Sequence, residues 1–150
     1  MRHTSSFLVL AIMGLALTAP VAVLAQGEAD QEGVRRAALD YLEGFYEGDS
    51  TKIVRSVRPE VVKYGFYIPR GQSEFQGTAM PFSDMISYVN RVRDSGRTAD
   101  PSAPKEVEIL DVQDQTAVVK VTAFWGTDYL QMAKYDGRWM ILHVIWQAQR

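Results

Sequence analysis

The sequence predicts an α+β fold, with about three N-terminal and central helices packed on one concave face of a curved antiparallel sheet. Three observations carry this. The last third, Val107 to Gln147, alternates apolar and polar residues and is broken by turn signals, as an antiparallel meander is. Two earlier stretches, Glu28 to Gly48 and Pro81 to Ser95, repeat apolar residues at helical spacing. The order along the chain is helix, helix, short hairpin, helix, then meander, with no internal repeat and no low-complexity run. The 150 residues suit one domain, expected over 26–150.

Residues 1–25 are read as a leader. Arg2 and His3 give a basic start, Phe7 to Leu17 is an apolar run, and Val23-Leu24-Ala25 before Gln26 is a small-residue cleavage site. An uncleaved membrane anchor is the alternative, because apolar character continues to Leu24; Pro20 and the Val-x-Ala site favour cleavage. The expectation is an exported protein, periplasmic or secreted from a bacterium, with no membrane attachment after signal cleavage. The chain has no cysteine, which excludes disulfides, thiolate metal sites and a lipid-anchored cysteine.

The first helix places Val34, Ala37, Ala38, Tyr41, Leu42 and Phe45 on one stripe, with Arg36, Asp40, Glu43 and Glu47 opposite; Gly48 stops it. Asp49 or Ser50 caps a short second helix containing Ile53, Val54 and Val57, which Pro59 ends. Val61 to Ile68 is strand-like, with Val62, Tyr64, Phe66 and Ile68 on one side; Pro69-Arg70-Gly71 is a turn, and Ser73 to Gly77 can pair back. Pro81 suits the first turn of the next helix, whose buried stripe is Phe82, Met85, Ile86, Val89 and Val92 and which Gly96 closes.

Within the meander, Asp136-Gly137 is the preferred chemistry of a two-residue type I′ hairpin, since both central residues need positive φ. Closing it with Tyr135 and Arg138 sets Lys134 opposite Trp139, Met132 opposite Ile141, Leu130 opposite His143 and Asp128 opposite Ile145. A second turn at Gly126-Thr127 sets Trp125 opposite Asp128. One shared apolar face results: Ala117, Val119, Val121, Ala123, Trp125, Leu130, Met132, Trp139, Ile141 and Ile145. On the other face Phe124, Leu142, Val144 and Trp146 are too apolar for a wet surface, which points to a homodimer through that face, the alternative being a cover of loops or N-terminal segments. The strand over 105–113 stays open: a turn at Asp114-Gln115 puts Leu110 and Val112 inside but also Glu106 and Glu108, and a bulge reverses this.

The net charge of −2 becomes −3 once Arg2 leaves with the leader, so nothing attracts the domain to nucleic acid or anionic lipid. His143 is then the only histidine, which excludes multi-histidine metal centres. No Gly-x-Ser-x-Gly elbow supports a nucleophilic triad, and the acidic residues near Asp111 lack metal-loop spacing. No metal and no cofactor is expected.

Three stretches carry a resemblance: Tyr41-Leu42-Glu43-Gly44-Phe45-Tyr46-Glu47-Gly48-Asp49; Val57-Arg58-Pro59-Glu60; and Asp128-Tyr129-Leu130 followed by Lys134-Tyr135-Asp136-Gly137-Arg138-Trp139-Met140-Ile141. Across essentially all of the chain after the leader, the sequence resembles the nuclear transport factor 2-like superfamily, and within it the lumazine-binding-like family of small bacterial proteins. At Arg58 it departs from the histidine this family usually has before the proline. The resemblance implies a cone-shaped α+β barrel, often dimeric, with a pocket between helices and sheet. It implies no single activity, because the superfamily holds isomerases, dehydratases, cyclases and non-enzymatic binding modules.

Asp128 and His143 stand out as polar residues on the expected inner face. Burial raises an aspartate pKa and lowers a histidine pKa, while pairing pushes both the other way; a carboxylate or imidazole poised near neutral pH can move a proton beside a carbonyl. Tyr41 or Tyr64 would donate to the oxyanion if their hydroxyls point inward. The plainer assignment makes Asp128 a turn cap and His143 a satisfied core residue. Tyr41, Phe45, Tyr64, Phe66, Phe82, Trp125, Tyr129 and Trp139 are candidate walls for a flat ring, or simply core. Arg55, Arg58, Lys63 and Arg70 form a basic edge that can hold an anion or merely face water. The leading expectation is an exported protein that binds a small aromatic or anionic ligand. An isomerase or lyase with Asp128 or His143 as base is the second, and an interaction module working through the outer sheet face is the third.

Overall fold

The structure is a computed structural model that describes residues 19–150. The leader expected over residues 1–25 lies largely outside the described residues. Three helices form: α1 (Ala19–Glu47), α2 (Ser50–Ser56) and α3 (Phe82–Ser95). No described helix is long and apolar enough to cross a membrane. The predicted stripe of α1 is the core: Val34, Ala38, Tyr41 and Leu42 are fully buried, and Ala37 and Phe45 nearly so. Each large side chain withdrawn from water in this way contributes about 1.5–3 kcal/mol. Asp49 caps α2, its carboxylate accepting from the Thr51 N–H at 2.9 Å. Pro81 precedes α3, and Gly96 closes it in the left-handed conformation. Met85 and Val89 carry its buried face.

Six strands follow: β1 (Val57–Tyr67), β2 (Gln76–Ala79), β3 (Glu106–Val112), β4 (Thr116–Ala123), β5 (Gly126–Tyr135) and β6 (Arg138–Ala148). Their order across the sheet is β2-β1-β6-β5-β4-β3. The meander from β3 to β6 is antiparallel as predicted. The sheet as a whole is mixed and unclosed, because β1 runs parallel to β6. Pro59 does not simply end α2. It lies in a bulge of β1 between Val57 and Val62, where its missing N–H breaks no ladder bond.

The Asp136-Gly137 hairpin is as read, with φ of 48° and 76° and Tyr135 paired to Arg138. The predicted pairing holds as far as Met132 and Ile141 and then fails. A bulge at Leu142 leaves Gln131 opposite His143, Leu130 opposite Val144 and Asp128 opposite Trp146. One extra residue reverses the facing of all that follows it. His143 and Ile145 therefore point outward and are exposed, while Val144 is buried and Trp146 packs on the core.

The second turn also differs. It is Phe124-Trp125, with Gly126 already the first paired residue of β5, so Val121 faces Asp128. The turn moves by two residues and the pairing slips by four, an even number, so Ala117, Val119, Val121, Ala123, Leu130 and Met132 still face inward as expected. In β3 a bulge between Ile109 and Asp111 turns Val107, Ile109 and Val112 toward the core and leaves Glu106, Glu108 and Leu110 outside.

Candidate functional site

Between α1 and the sheet lies a buried polar cluster in a largely apolar interior. Asp128 on β5 is fully buried, and both of its oxygens are engaged. The Trp125 indole N–H donates to Oδ1 at 2.7 Å, and the Tyr41 hydroxyl donates to Oδ2 at 2.5 Å. Lys63 on β1 donates to the Tyr41 oxygen and stands 3.5 Å from Asp128 Oδ2. Two neutral donors thus satisfy the carboxylate, and the ammonium supplies a looser counter-charge.

Burial penalises the charged forms of both partners. It lowers the pKa of Lys63 below the usual lysine value, and the adjacent Asp128 charge offsets this only in part. It raises the Tyr41 hydroxyl well above the usual phenol range, helped by the charge and hydrogen bond of Asp128. Tyr41 accordingly stays neutral and donates.

Lys63 is the member of this cluster that reaches a cavity along with Trp125. A cleft of about 230 Å³ opens above it, lined by Phe45, Lys63, Met80, Tyr88, Phe124, Trp125 and Trp146. The ammonium lies 4.9 Å from the ring centres of Tyr41 and Phe45 and 5.7 Å from that of Trp146. Edge-to-face contacts of Phe45 with Tyr41 and with Trp125 hold the walls. Tyr46 fixes the rim: its hydroxyl donates to the Pro104 carbonyl and accepts from the Phe124 N–H at 3.0 Å. Gly65 makes room for the Trp146 indole, which lies on its backbone where any Cβ would collide.

The residues singled out in sequence separate into two groups. Tyr41, Phe45, Trp125 and Asp128 meet at the base and wall of the cleft. His143 does not join Asp128, because the β6 bulge turns it to the outer face. Tyr64 is on the outer face too, 44% exposed and stacked edge-on with Phe66. The apolar alternation Val62-Tyr64-Phe66 was read correctly as one side of a strand, but it is the outward side; Val61, Lys63 and Gly65 face the core. Arg58 lies over the Tyr135 ring and pairs with Glu60, away from the cleft, and Phe82 packs partly buried against the core without lining it. Arg55 is paired to Asp40.

Lys63 is thus no edge residue but the charged group of the site. A signal for this exists in the sequence: glycine within a strand marks a close approach on its own face, and Lys63 shares that face with Gly65. Met80, Tyr88, Phe124 and Trp146 escaped sequence reasoning, the last because no local pattern announces the bulge. Among the described residues no group of three or more histidine, aspartate or glutamate side chains is placed to hold a metal ion.

Several solved structures share this architecture. A nuclear transport factor 2-like protein of unknown function from Silicibacter pomeroyi is 17% identical, with a TM-score of 0.59 over 84% of this chain and 98% of that one. One from Shewanella baltica is 18% identical, with a TM-score of 0.58 over 85% and 96%. A third, with a cystatin-like fold, from Novosphingobium aromaticivorans is 10% identical, with a TM-score of 0.59 over 90% and 92%. At these identities the likeness concerns the fold. No curated protein matches the chain. The family model described as "Putative lumazine-binding" matches residues 29–147, nearly the whole helix-and-sheet unit, and the chain belongs to that family.

Proposed function

We propose that this protein binds a small, flat, mostly apolar molecule in the aromatic cleft, with one acceptor or anionic group of the ligand reaching Lys63. One observation carries the reading: among the described residues, the only charged side chain lining the cleft is a buried ammonium among aromatic rings. Asp128 already has two neutral donors, so Lys63 has donors to spare for a ligand oxygen. Membership of the family and the shared fold support a ligand-binding role. Asp128 itself has no exposed surface and does not line the cleft, so a proton-transfer reaction there would run through Lys63 or Tyr41.

Trp125 and Trp146 line the cleft, so tryptophan fluorescence reports its occupancy. Titration with lumazine, a flat ring bearing carbonyl oxygens, and with 2-naphthoate, a flat ring bearing a carboxylate, is expected to give saturable quenching by at least one. Lys63→Met is expected to weaken that binding by about 10- to 100-fold, the worth of a charged hydrogen bond. Quenching by neither probe, or equal affinity in the variant, would overturn the proposal.

Two further parts of the reading are export after cleavage before Gln26, supported by the leader pattern, and a homodimer through the outer sheet face. For the dimer the supporting observation is a row across three strands. Tyr64 pairs with Ile145 and Ile145 with Tyr129, and the three are 44%, 54% and 45% exposed. The intact mass of the protein purified from its own host, beginning at Gln26 or at Met1, decides the first part.

A further inference from the structure

We infer that Lys63 captures carbonyl compounds covalently, as an imine, when an aromatic aldehyde or ketone occupies the cleft. The inference rests on the proposed cleft-binding reading and adds a chemistry to it.

The setting of Lys63 differs from that of every other lysine in the chain. Lys52, Lys120 and Lys134 are each paired to a carboxylate within 3.2 Å. Lys105 is exposed to water. Lys63 has one carboxylate at 3.5 Å, and that carboxylate is satisfied by Trp125 and Tyr41 without it. Losing the lysine proton therefore leaves both neutral hydrogen bonds to the carboxylate in place. Burial pushes the amine in the same direction. A lysine activated by a dry apolar pocket is the form of this side chain that serves as a nucleophile.

The neighbours match the steps. The Lys63 ammonium releases one proton. Its nitrogen pair then forms a C–N bond to the carbonyl carbon, and the carbonyl oxygen takes up a proton to give a carbinolamine. The C–O bond breaks and that hydroxyl leaves with a further proton as water. One ammonium and one carbonyl have become one iminium and one water, with no oxidation or reduction. Tyr41, in contact with both Lys63 and Asp128, is the hydroxyl placed to hand protons across at the nitrogen. The iminium keeps the positive charge where the ammonium stood, facing Asp128 and the rings of Phe45 and Trp146. The apolar walls disfavour water, whose return would hydrolyse the imine.

The test uses the wild-type chain, an equimolar amount of benzaldehyde and cyanoborohydride near neutral pH, followed by peptide mapping. A reduced benzyl adduct on Lys63, forming ahead of the other lysines, is the expected result. Lys63→Arg should lose it while retaining the wild-type circular dichroism, and Tyr41→Phe should slow its formation. An adduct confined to other lysines or the amino terminus would overturn the inference. Benzyl alcohol, which has the ring but no carbonyl, separates the two levels. If it still quenches tryptophan fluorescence, cleft binding stands and only the covalent step falls; if neither it nor the aldehyde quenches, both fall.

Discussion

At the scale of single residues, the Tyr41–Lys63–Asp128–Trp125 cluster decides how the core tolerates polarity. Buried polar groups are costly unless fully paired, and here each member supplies what the next lacks. Asp128→Ala strands a buried ammonium and two donors, so a loss of about 3–5 kcal/mol is expected in urea denaturation. Adding Lys63→Met to that variant removes the stranded charge, and the double variant should be more stable than Asp128→Ala alone. A double variant that is less stable would show that the two side chains act independently. His143→Ala tests the opposite point. On the exposed face it should change stability by no more than about 0.5 kcal/mol, and cleft affinity not at all. Gly65→Ala drives a methyl group into the Trp146 indole. A cost of about 1–3 kcal/mol is expected, with displaced tryptophan emission, because the ring has to leave the cleft wall.

At the scale of elements, α1 is pinned to α2 by one buried carboxylate. Asp40 accepts two hydrogen bonds from Arg55 at 2.6 Å each, and Arg36 adds a contact at 2.9 Å. Burial alone would raise the Asp40 pKa, but the two guanidinium groups outweigh it and hold the carboxyl below its ordinary 3.8. A group whose folded pKa is depressed stabilises above its unfolded value, and that contribution fades as pH falls through the folded value. Asp40→Asn should therefore cost about 1–2 kcal/mol near neutrality, a modest figure since both arginines are about half exposed. The gap between variant and wild type should close as the pH drops below 3.8. A gap that persists in acid would mean packing, rather than charge, joins these helices. The strands show a complementary rule. Their faces are set by bulges: one residue inserted at Leu142 brings Trp146 to the cleft and sends His143 out.

At the scale of the whole molecule, the helices cover one face of an open sheet, and among the described residues nothing packs over the outer row of Tyr64, Ile145 and Tyr129, which is exposed. The exposed row Tyr64–Ile145–Tyr129 spans β1, β6 and β5, with Val62 and Phe66 beside it. If this row is the proposed dimer contact, sedimentation velocity should give a dimer for the wild type and a monomer for Ile145→Lys. The same two samples should show equal cleft affinity, because Ile145 faces away from the cavity. A wild type that sediments as a monomer at all concentrations would leave the outer face without this role.

The sequence by itself determined the α+β class, the three helices, the buried stripe of α1, the meander and the Asp136-Gly137 hairpin; of the stripe expected on α2, only Ile53 is buried in that helix, Val54 being exposed and Val57 belonging to β1. The features the sequence determined are written in local periodicities and in backbone requirements of single residues, and a local pattern survives whatever packs around it. It also identified Tyr41, Phe45, Trp125 and Asp128 as candidates, since aromatic and acidic residues on an apolar stripe need partners. Tertiary structure alone decided which partners they find. The parallel pairing of β1 with β6 joins residues far apart in the chain, and through it Lys63 comes to Tyr41 and Asp128. The bulge in β6 has no sequence mark comparable to the hairpin, yet it inverts every side chain beyond it. Strand facing depends on a count of residues along the whole ladder, whereas a long helix stripe or an Asp-Gly turn depends on near neighbours; that is why the walls of the fold were legible and the charge at the centre of its cleft was not.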